Sequence, residues 1–382
     1  MEAIAKAGIF SITWGSTGEK PGSSVSEATK PGFFPRIIEK IQKQNGGVMQ
    51  VLVTGGTGDV GRAAVRRLAG HGHGVRVVGR RAGMAVEGAE YRRCDITDFE
   101  VLREQMEGVQ AVVHLAAIRH PSMAPGQEMF RVNCAGAFNV YRAAADAGIK
   151  RIVSASSINA LGYNFGIKNF RLRYFPMDEE HPSFTTDSYS FSKQIIEEIA
   201  AYFWRREGIS GICLRLPAVY EIAQGSKSWL RDFVSKSIQA YRELMALPEA
   251  ERQARVCQVI ARFERFRAER MWEKPLEKYG MDLPDFGLMF GRSNFWTSID
   301  DRDSAQAIEK GLLADYEGSH PLYVNDSHNF AGIESEVLAR VFFPEVEARK
   351  RPLQGTESLV SIDQARALIG FEPEFSIRDW FA

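Results

Sequence analysis

Apolar and polar positions change period along this chain. Val51-Leu52-Val53 is a short apolar run that enters a glycine turn, and Asp59 to Ala69 then carries apolar residues at helical spacing. Val75-Arg76-Val77-Val78 predicts a second strand, Glu90 to Arg93 a third, and Ala111-Val112-Val113-His114-Leu115 a fourth. A long helix is predicted from Gln127 to Ala147 and a fifth strand at Arg151-Ile152-Val153-Ser154-Ala155. A helix from Ser188 to Glu207 and a sixth strand from Gly211 to Leu216 complete the series. Short buried runs separated by helices require right-handed crossovers and a parallel sheet. The predicted class is α/β, a doubly wound parallel sheet.

Past Tyr220 the alternation stops. Ser226 to Tyr279 has mostly helical spacing and many arginines (Arg252, Arg255, Arg262, Arg265, Arg267 and Arg270). Glu243, Glu249, Glu251, Glu264, Glu269 and Glu273 run through the same stretch, so the pattern predicts a solvated amphipathic cap rather than a nucleic-acid surface. Residues 49–220 are expected to form a Rossmann dinucleotide-binding domain. Residues 221–382 are expected to form a smaller, mostly helical substrate lobe, some segments of which return to the first domain. Residues 1–48 have a different texture: Gly15 to Gly32 is rich in Gly, Ser, Thr and Pro and has no period. They are expected to be a flexible extension upstream of a natural start at Met49; the alternative is a functional arm built partly from Phe33 to Gln44.

Composition narrows the function classes. Lys+Arg and Asp+Glu both number 48, a net charge of zero, which gives no whole-chain attraction to nucleic acid or membrane. No apolar stretch approaches a membrane span, and no signal peptide is evident. Cys94, Cys134, Cys213 and Cys257 are far apart and form no CxxC pair, so neither a disulfide framework nor a metal site is expected. Reduced, mostly buried thiols in a cytoplasmic protein are the expectation.

Three local patterns carry candidate chemistry. Thr54-Gly55-Gly56-Thr57-Gly58-Asp59-Val60-Gly61 lies between a strand and a helix. Gly55 permits a tight turn, Gly58 lets the backbone approach a pyrophosphate, and Gly61 lets the helix pack on the strand; the helix N-terminus offers free N–H groups to an anion. Tyr189 and Lys193 are four apart on a predicted helix, so the phenol and the ammonium share a face. A phenol with a reference pKa of about 10 is a poor base at neutral pH, and the lysine cation is expected to bring it lower. Ser154-Ala155-Ser156-Ser157 ends the fifth strand, where a serine can hydrogen-bond a substrate oxygen or simply cap the turn.

Together these residues resemble an extended short-chain dehydrogenase/reductase of the NAD-dependent epimerase/dehydratase family, over roughly Met49 to the C-terminus. The resemblance includes the glycine turn, Asp95, His114-Leu115-Ala116-Ala117, Asn133, Ser157 with Gly162, and Tyr189 with Lys193. It continues through Leu214-Arg215-Leu216-Pro217-Ala218-Val219-Tyr220 and the closing segment Ser361 to Phe371. It implies that Tyr189 is the acid or base at a reacting hydroxyl, that Lys193 lowers its pKa and binds the nicotinamide ribose, and that Ser157 orients the substrate oxygen. It further implies a cofactor held by Gly55, Thr57, Gly58, Asp59, Val60, Gly61, Leu115, Ala116, Ala117 and Asn133. Asp95 and Ile96 would lie near the adenine, and Pro217 to Val219 beside the nicotinamide. A homodimer through the helices Gln127–Ala147 and Ser188–Glu207 is also implied.

Two departures from the family pattern bear on chemistry. Where NAD-preferring members end the second strand with an acid, this chain has Gly79, followed by Arg80 and Arg81. Without a carboxylate to repel a 2′-phosphate, and with Arg80 to grip it, NADP is favoured and NAD is the alternative; Arg62 is a further candidate for that phosphate. Sugar dehydratases of the family follow the serine position with Asp-Glu; Ile158 and Asn159 stand there and cannot act as general acids, which disfavours dehydration. A Gly-rich, Arg-containing segment for a nucleotide-sugar diphosphate is also missing, Phe290-Gly291-Arg292-Ser293 being a distant echo, and Ser157 to Tyr163 resembles the free-uronate dehydrogenases. The expected function is hydride transfer at a secondary alcohol of a sugar-like small molecule, as oxidation or as epimerisation. The rival is a non-catalytic, redox-sensing NAD(P) binder.

Overall fold

The computed structural model describes residues 47–221, 228–275, 278–280 and 283–380. The extension expected over residues 1–48, with its alternative arm, lies outside these residues apart from Gly47 and Val48. Six strands appear where the sequence predicts them: β1 (Gln50–Thr54), β2 (Gly74–Gly79), β3 (Glu90–Arg93), β4 (Ala111–His114), β5 (Arg151–Ala155) and β6 (Ser210–Arg215). Two short strands, β7 (Ala218–Tyr220) and β8 (Ser298–Asp300), pair separately, and β9 (Ser319–Tyr323) returns to the main sheet. The sheet is parallel throughout, in the order β3-β2-β1-β4-β5-β6-β9. Strand order reverses between β1 and β4, which opens a crevice at the carboxyl ends of the strands.

Side chains alternate between two helical layers. Val51 and Val53, with Val77, Val113, Val153 and Ile212, pack under α1 (Asp59–Gly70) through Ala64, Val65 and Leu68. The same layer receives Ala307 and Ile308 of α9 (Asp301–Leu313). Leu52, Val112, Ile152 and Cys213 face the other way, toward α2 (Phe99–Glu104), α4 (Gly136–Asp146) and α5 (Ser188–Glu207), which contribute Leu102, Val140, Ala144, Ile196, Ala200 and Phe203. Each such aliphatic side chain, removed from water, contributes about 1.5–3 kcal/mol. Asp187 caps α5, accepting a 2.8 Å hydrogen bond from Ser190 N, and Gly208 ends it in the left-handed conformation.

Three features differ from the sequence-based expectation. The helix expected from Gln127 to Ala147 is α3 (Gly126–Phe130), then a π turn over Arg131–Ala135, then α4. A π turn leaves the apolar spacing nearly intact, so periodicity does not reveal it. The seventh strand, β9, contains Pro321 and is half-buried, which hides it from a strand search; among the described residues it pairs only with β6, at the rim of the sheet where proline is tolerated. The cap consists of α6 (Ser228–Ala246), α7 (Glu249–Ala268) and α8 (Leu283–Ser293). Val256, Val259, Phe263 and Phe266 make α7 amphipathic as expected, but Arg267 is 1% exposed rather than solvated. Its guanidinium donates to the carbonyls of Gly166 and Lys168 at 2.7 and 2.8 Å. Behind the cap, Tyr163, Phe175, Tyr241, Trp296, Phe342 and Phe343 form a second core. Among the described residues no helix is long and apolar enough to cross a membrane. Cys94, Cys134 and Cys213 are buried free thiols, whereas Cys257 is exposed.

The join between β1 and α1 leaves no room for a side chain at Gly61, where an added Cβ would lie 2.3 Å from the Gly55 carbonyl oxygen and 2.6 Å from Gly56 Cα. These are backbone atoms that cannot rotate aside. Gly61→Ala is therefore expected to force the helix off the strand and lower stability by about 1–3 kcal/mol, measured by urea denaturation. An unchanged midpoint would show that the join can relax.

Candidate active site

A cavity of about 870 Å³ opens at the carboxyl ends of β1, β2, β4, β5 and β6. The site residues proposed from the sequence line it, apart from Asn133 and the further candidate Arg62. At one end, the turn after β1 is set by Gly55, whose φ of 72° and whose contact with the next loop both require glycine: a Cβ there would stand 2.7 Å from Ala116 N. Gly58 N donates back to Gly55 O at 3.1 Å. The first amides of α1 are thereby left facing the cavity, where they and the helix dipole can hold a phosphate. Thr54 Oγ1 accepts from Leu115 N and Ala116 N, both at 3.1 Å, and shares a 2.8 Å hydrogen bond with His114 Nδ1. One hydroxyl thus fixes the wall that β4 contributes. Burial, reinforced by the Lys193 charge, pushes His114 down to about 3 and keeps it neutral.

Asn133 stands behind that wall. It is 0% exposed; its amide accepts from Ile118 N at 2.7 Å and donates to Ile118 O and Ser192 Oγ at 2.9 and 3.0 Å. The π turn brings it there, and it buttresses the site without lining it.

At the β2 end, Arg80 and Arg81 line the cavity and are exposed. The Tyr91 hydroxyl is 2.8 Å from the place of a Cβ at Gly79, so a side chain there would have to displace it; it donates to Arg81 O at 2.6 Å. Arg62, considered for the same anion, does not line the cavity; its guanidinium donates to Thr57 O at 2.7 Å and pairs with Asp59 and Glu221 at 2.9 and 3.1 Å. Arg292, from the segment compared with a diphosphate binder, is 2% exposed and lies 4.5 Å over the Phe343 ring, as part of the core.

Ser157, Tyr189 and Lys193 meet at the opposite end. Ser157 caps its own turn, accepting from Asn159 N at 3.1 Å, and its hydroxyl is close enough to Tyr189 to pull the phenol downward. Of the two uses proposed for the serine, the cap is the one seen here. Lys193 Nζ donates to Ala155 O at 2.8 Å and lies 5.8 Å from the centre of the Tyr189 ring. Tyr189 and Lys193 are 6% and 3% exposed. Burial pushes the phenol up to about 12, against a downward pull from Ser157 and Arg119. The expected lowering of Tyr189 by Lys193 is thus not what the protein's own groups produce. Burial lowers Lys193 in turn, to about 8.

The dryness of this end comes from residues that no local motif marks. Phe165 meets Tyr189 edge-on at 5.5 Å, and Trp272, from the turn after α7, meets Phe165 at 5.1 Å. His120 packs on Phe165 at 5.0 Å, and burial pushes it down to about 4. Arg119 lines the cavity and pairs with Asp59 at 3.2 Å. Arg119 and His120 closely follow the His114 to Ala117 run in sequence, which was the one available signal; Phe165 and Trp272 had none.

The chain resembles known proteins in sequence and in fold. A uronate dehydrogenase of Pseudomonas syringae pv. tomato is 26% identical over 186 residues, covering 47% of this chain and 64% of the relative. An L-arabinose 1-dehydrogenase (NAD(P)(+)) of Haloferax volcanii is 34% identical over 173 residues, 44% of this chain and 66% of the relative. This chain therefore spans just under two thirds of these curated relatives. The crystal structure of UDP-glucose 4-epimerase from Thermotoga maritima has a TM-score of 0.55 at 18% identity, covering 87% of this chain and 96% of that one. With the glycine turn, the Ser-Tyr-Lys end and the sheet order in place, the match of residues 51–251 to the family model completes the case: the chain belongs to the NAD dependent epimerase/dehydratase family.

Proposed function

We propose that this protein is an NAD(P)-dependent oxidoreductase or epimerase that transfers a hydride at a secondary alcohol of a sugar or sugar-like substrate. The observation that carries the proposal is the meeting of Ser157, Tyr189 and Lys193 at one end of the cavity whose other parts are the glycine turn and the β2 rim. A dinucleotide fits this cavity: its volume is of the size that holds small ligands and cofactors, and the backbone packing at Gly55 and Gly61 holds the glycine turn and the start of α1 against it. Gly58, Asp59 and Val60 would hold the pyrophosphate, Asp95 and Ile96 the adenine, and Lys193, Pro217 and Val219 the nicotinamide nucleoside. Such a cofactor supplies a hydride acceptor or donor. The protein's own share is the proton: Ser157 orients the substrate oxygen, and Tyr189 exchanges the hydroxyl proton with it. Ile158 and Asn159 offer no acid or base for eliminating water, so dehydration is disfavoured. The names of the relatives, a uronate and an arabinose dehydrogenase, favour a free sugar or sugar acid. Residues 49–220 would form the cofactor domain, with the cap beyond residue 221 adding the substrate side.

We further infer a preference for NADP and a homodimer. Arg80 and Arg81 line the cavity directly after Gly79, which brings no carboxylate to repel a 2′-phosphate. Phe130, Phe138 and Phe191 are 47%, 42% and 43% exposed on α3, α4 and α5, and Phe130 stacks on Phe191. Ile196, Ala200 and Phe203 cover the sheet, while Ile195 and Ile199 remain half-buried on the flank. An apolar face of this kind suits a second copy of the same helices.

Tyr189→Phe keeps the ring and removes the ionisable oxygen, so turnover on uronates and aldoses should fall roughly a hundredfold with cofactor affinity unchanged. Because burial raises the phenol to about 12, Tyr189 is protonated at neutral pH; oxidation, which needs the phenolate, should quicken with rising pH. Near-wild-type turnover in the variant would remove Tyr189 from the mechanism. Arg80→Ala should weaken NADP binding about ten- to hundredfold in calorimetry and leave NAD nearly unaffected, the scale of one charged hydrogen bond. Tighter binding of NAD than NADP by the unmodified protein would overturn the preference. Light scattering at micromolar concentration should give twice the chain mass; a monomer would count against the helix pairing.

A further inference from the structure

Glu197 lies one helical turn beyond Lys193 on α5, and both of its carboxylate oxygens are engaged. Oε1 accepts from Ser156 Oγ at 2.6 Å and from Arg215 Nε at 2.9 Å, and Oε2 accepts from Arg215 Nη2 at 2.9 Å. This is not a surface ion pair: Ser156 and Arg215 are 3% and 5% exposed, and the Glu197 side chain is 11% exposed. Each partner is also the neighbour of a cavity wall. Ser156 immediately precedes Ser157, and Arg215 ends β6 just before Leu216 and Pro217. A turn earlier on the helix, Lys193 holds Ala155 O, so α5 grips two successive residues where β5 ends. Ile158 N donates to Leu216 O at 2.9 Å and joins the two walls to each other.

We propose that Glu197 is the positioning residue of this site: its one carboxylate ties the helix of Tyr189 and Lys193 to the serine end of β5 and the arginine end of β6, and sets a negative charge beside the Lys193 ammonium. The inference rests on the proposed roles of Tyr189 and Lys193. Its electrostatic part follows from what faces Lys193. Tyr189 and Glu197 face it from its own helix, Cys134 from the π turn, Cys213 from β6, and His114 from β4. Burial pushes Lys193 down; Cys213, Cys134 and Glu197 act in the opposite sense. The thiols are themselves pushed up by burial, Cys134 to about 11 and Cys213 further, and are neutral where the lysine titrates. His114 is neutral there too, and so is the Tyr189 phenol. The carboxylate is the remaining opposing charge, and without it the ammonium gives up its proton at lower pH.

The test is a titration of the unliganded full chain by NMR of 15N-labelled lysine side chains, with the Lys193 signal identified by its loss in Lys193→Met. Wild type should titrate near 8. Glu197→Gln, which keeps an acceptor and loses the charge, should move the midpoint down by about one pH unit, and Glu197→Asp should recover most of that shift. If Glu197→Gln fails to fold because Arg215 is left buried without its counter-charge, the double variant Glu197→Gln with Arg215→Met carries the same expectation. A midpoint equal to wild type in either neutral variant overturns the proposal. Fluorescence titration with NADH and NADPH, run in parallel, should give at least fivefold weaker binding in the neutral variants at pH 8. Absence of any binding by wild type would refute the proposed function while leaving the lysine midpoint to decide the role of Glu197.

Discussion

Backbone meets backbone at the carboxyl end of β1, where the first turn of α1 passes so near the strand that only Gly61 fits, and where Gly55 must turn under Ala116. The geometry of the cavity follows from that contact. It aims the N-terminus of α1 into the crevice at the point where strand order reverses, and it brings the loop after β4 across the turn. The Thr54 hydroxyl then fixes that loop by accepting two of its amides. A helix set even one side chain further from the sheet would present its free N–H groups to solvent instead of to the cavity.

The other end of the cavity is governed by exclusion of water. Phe165 and Trp272 dry the surroundings of Tyr189, and α5 itself buries Lys193 between Ala155 and the buried thiols. Burial acts on the two groups in opposite directions, raising the phenol and lowering the ammonium, because each is pushed toward its neutral form. The site is therefore sensitive to any charge placed near it. Among the charges the protein itself supplies, Asp187 raises and Arg119 lowers Tyr189, and Glu197 raises Lys193. Glu197 does so from within a buried pair with Arg215, where removing one partner would strand the other.

Much of this arrangement is legible in the chain because its causes are local or periodic. The apolar runs became strands since a buried parallel strand needs continuous apolar residues on both faces, whereas the polar Glu90–Arg93 forms the partly exposed rim strand. The glycine turn announced itself through residue types that a close approach demands, and the four-residue spacing of Tyr189 and Lys193 placed them on one helical face. The missing carboxylate at Gly79 was also readable; that the Tyr91 hydroxyl stands beside that position was not.

What only the tertiary structure decided are the contacts between residues far apart in sequence. Periodicity did not reveal the π turn that withdraws Asn133 from the cavity and fastens it to Ile118 and Ser192, because a single wider turn hardly alters the apolar spacing. Arg267 belonged, by composition, to a solvated stripe, yet folding gave it two backbone carbonyls from residues about a hundred positions away and so made its burial tolerable. Trp272 helps dry the Tyr189 end although nothing around it in the chain marks it as part of a site. The sequence by itself determined the elements, the glycine turn and the placing of Tyr189 and Lys193 on one helical face, since each depends on neighbours within a turn or a strand. The polarity of the place where those side chains meet depends on which distant segments pack there, and only the folded chain determines that.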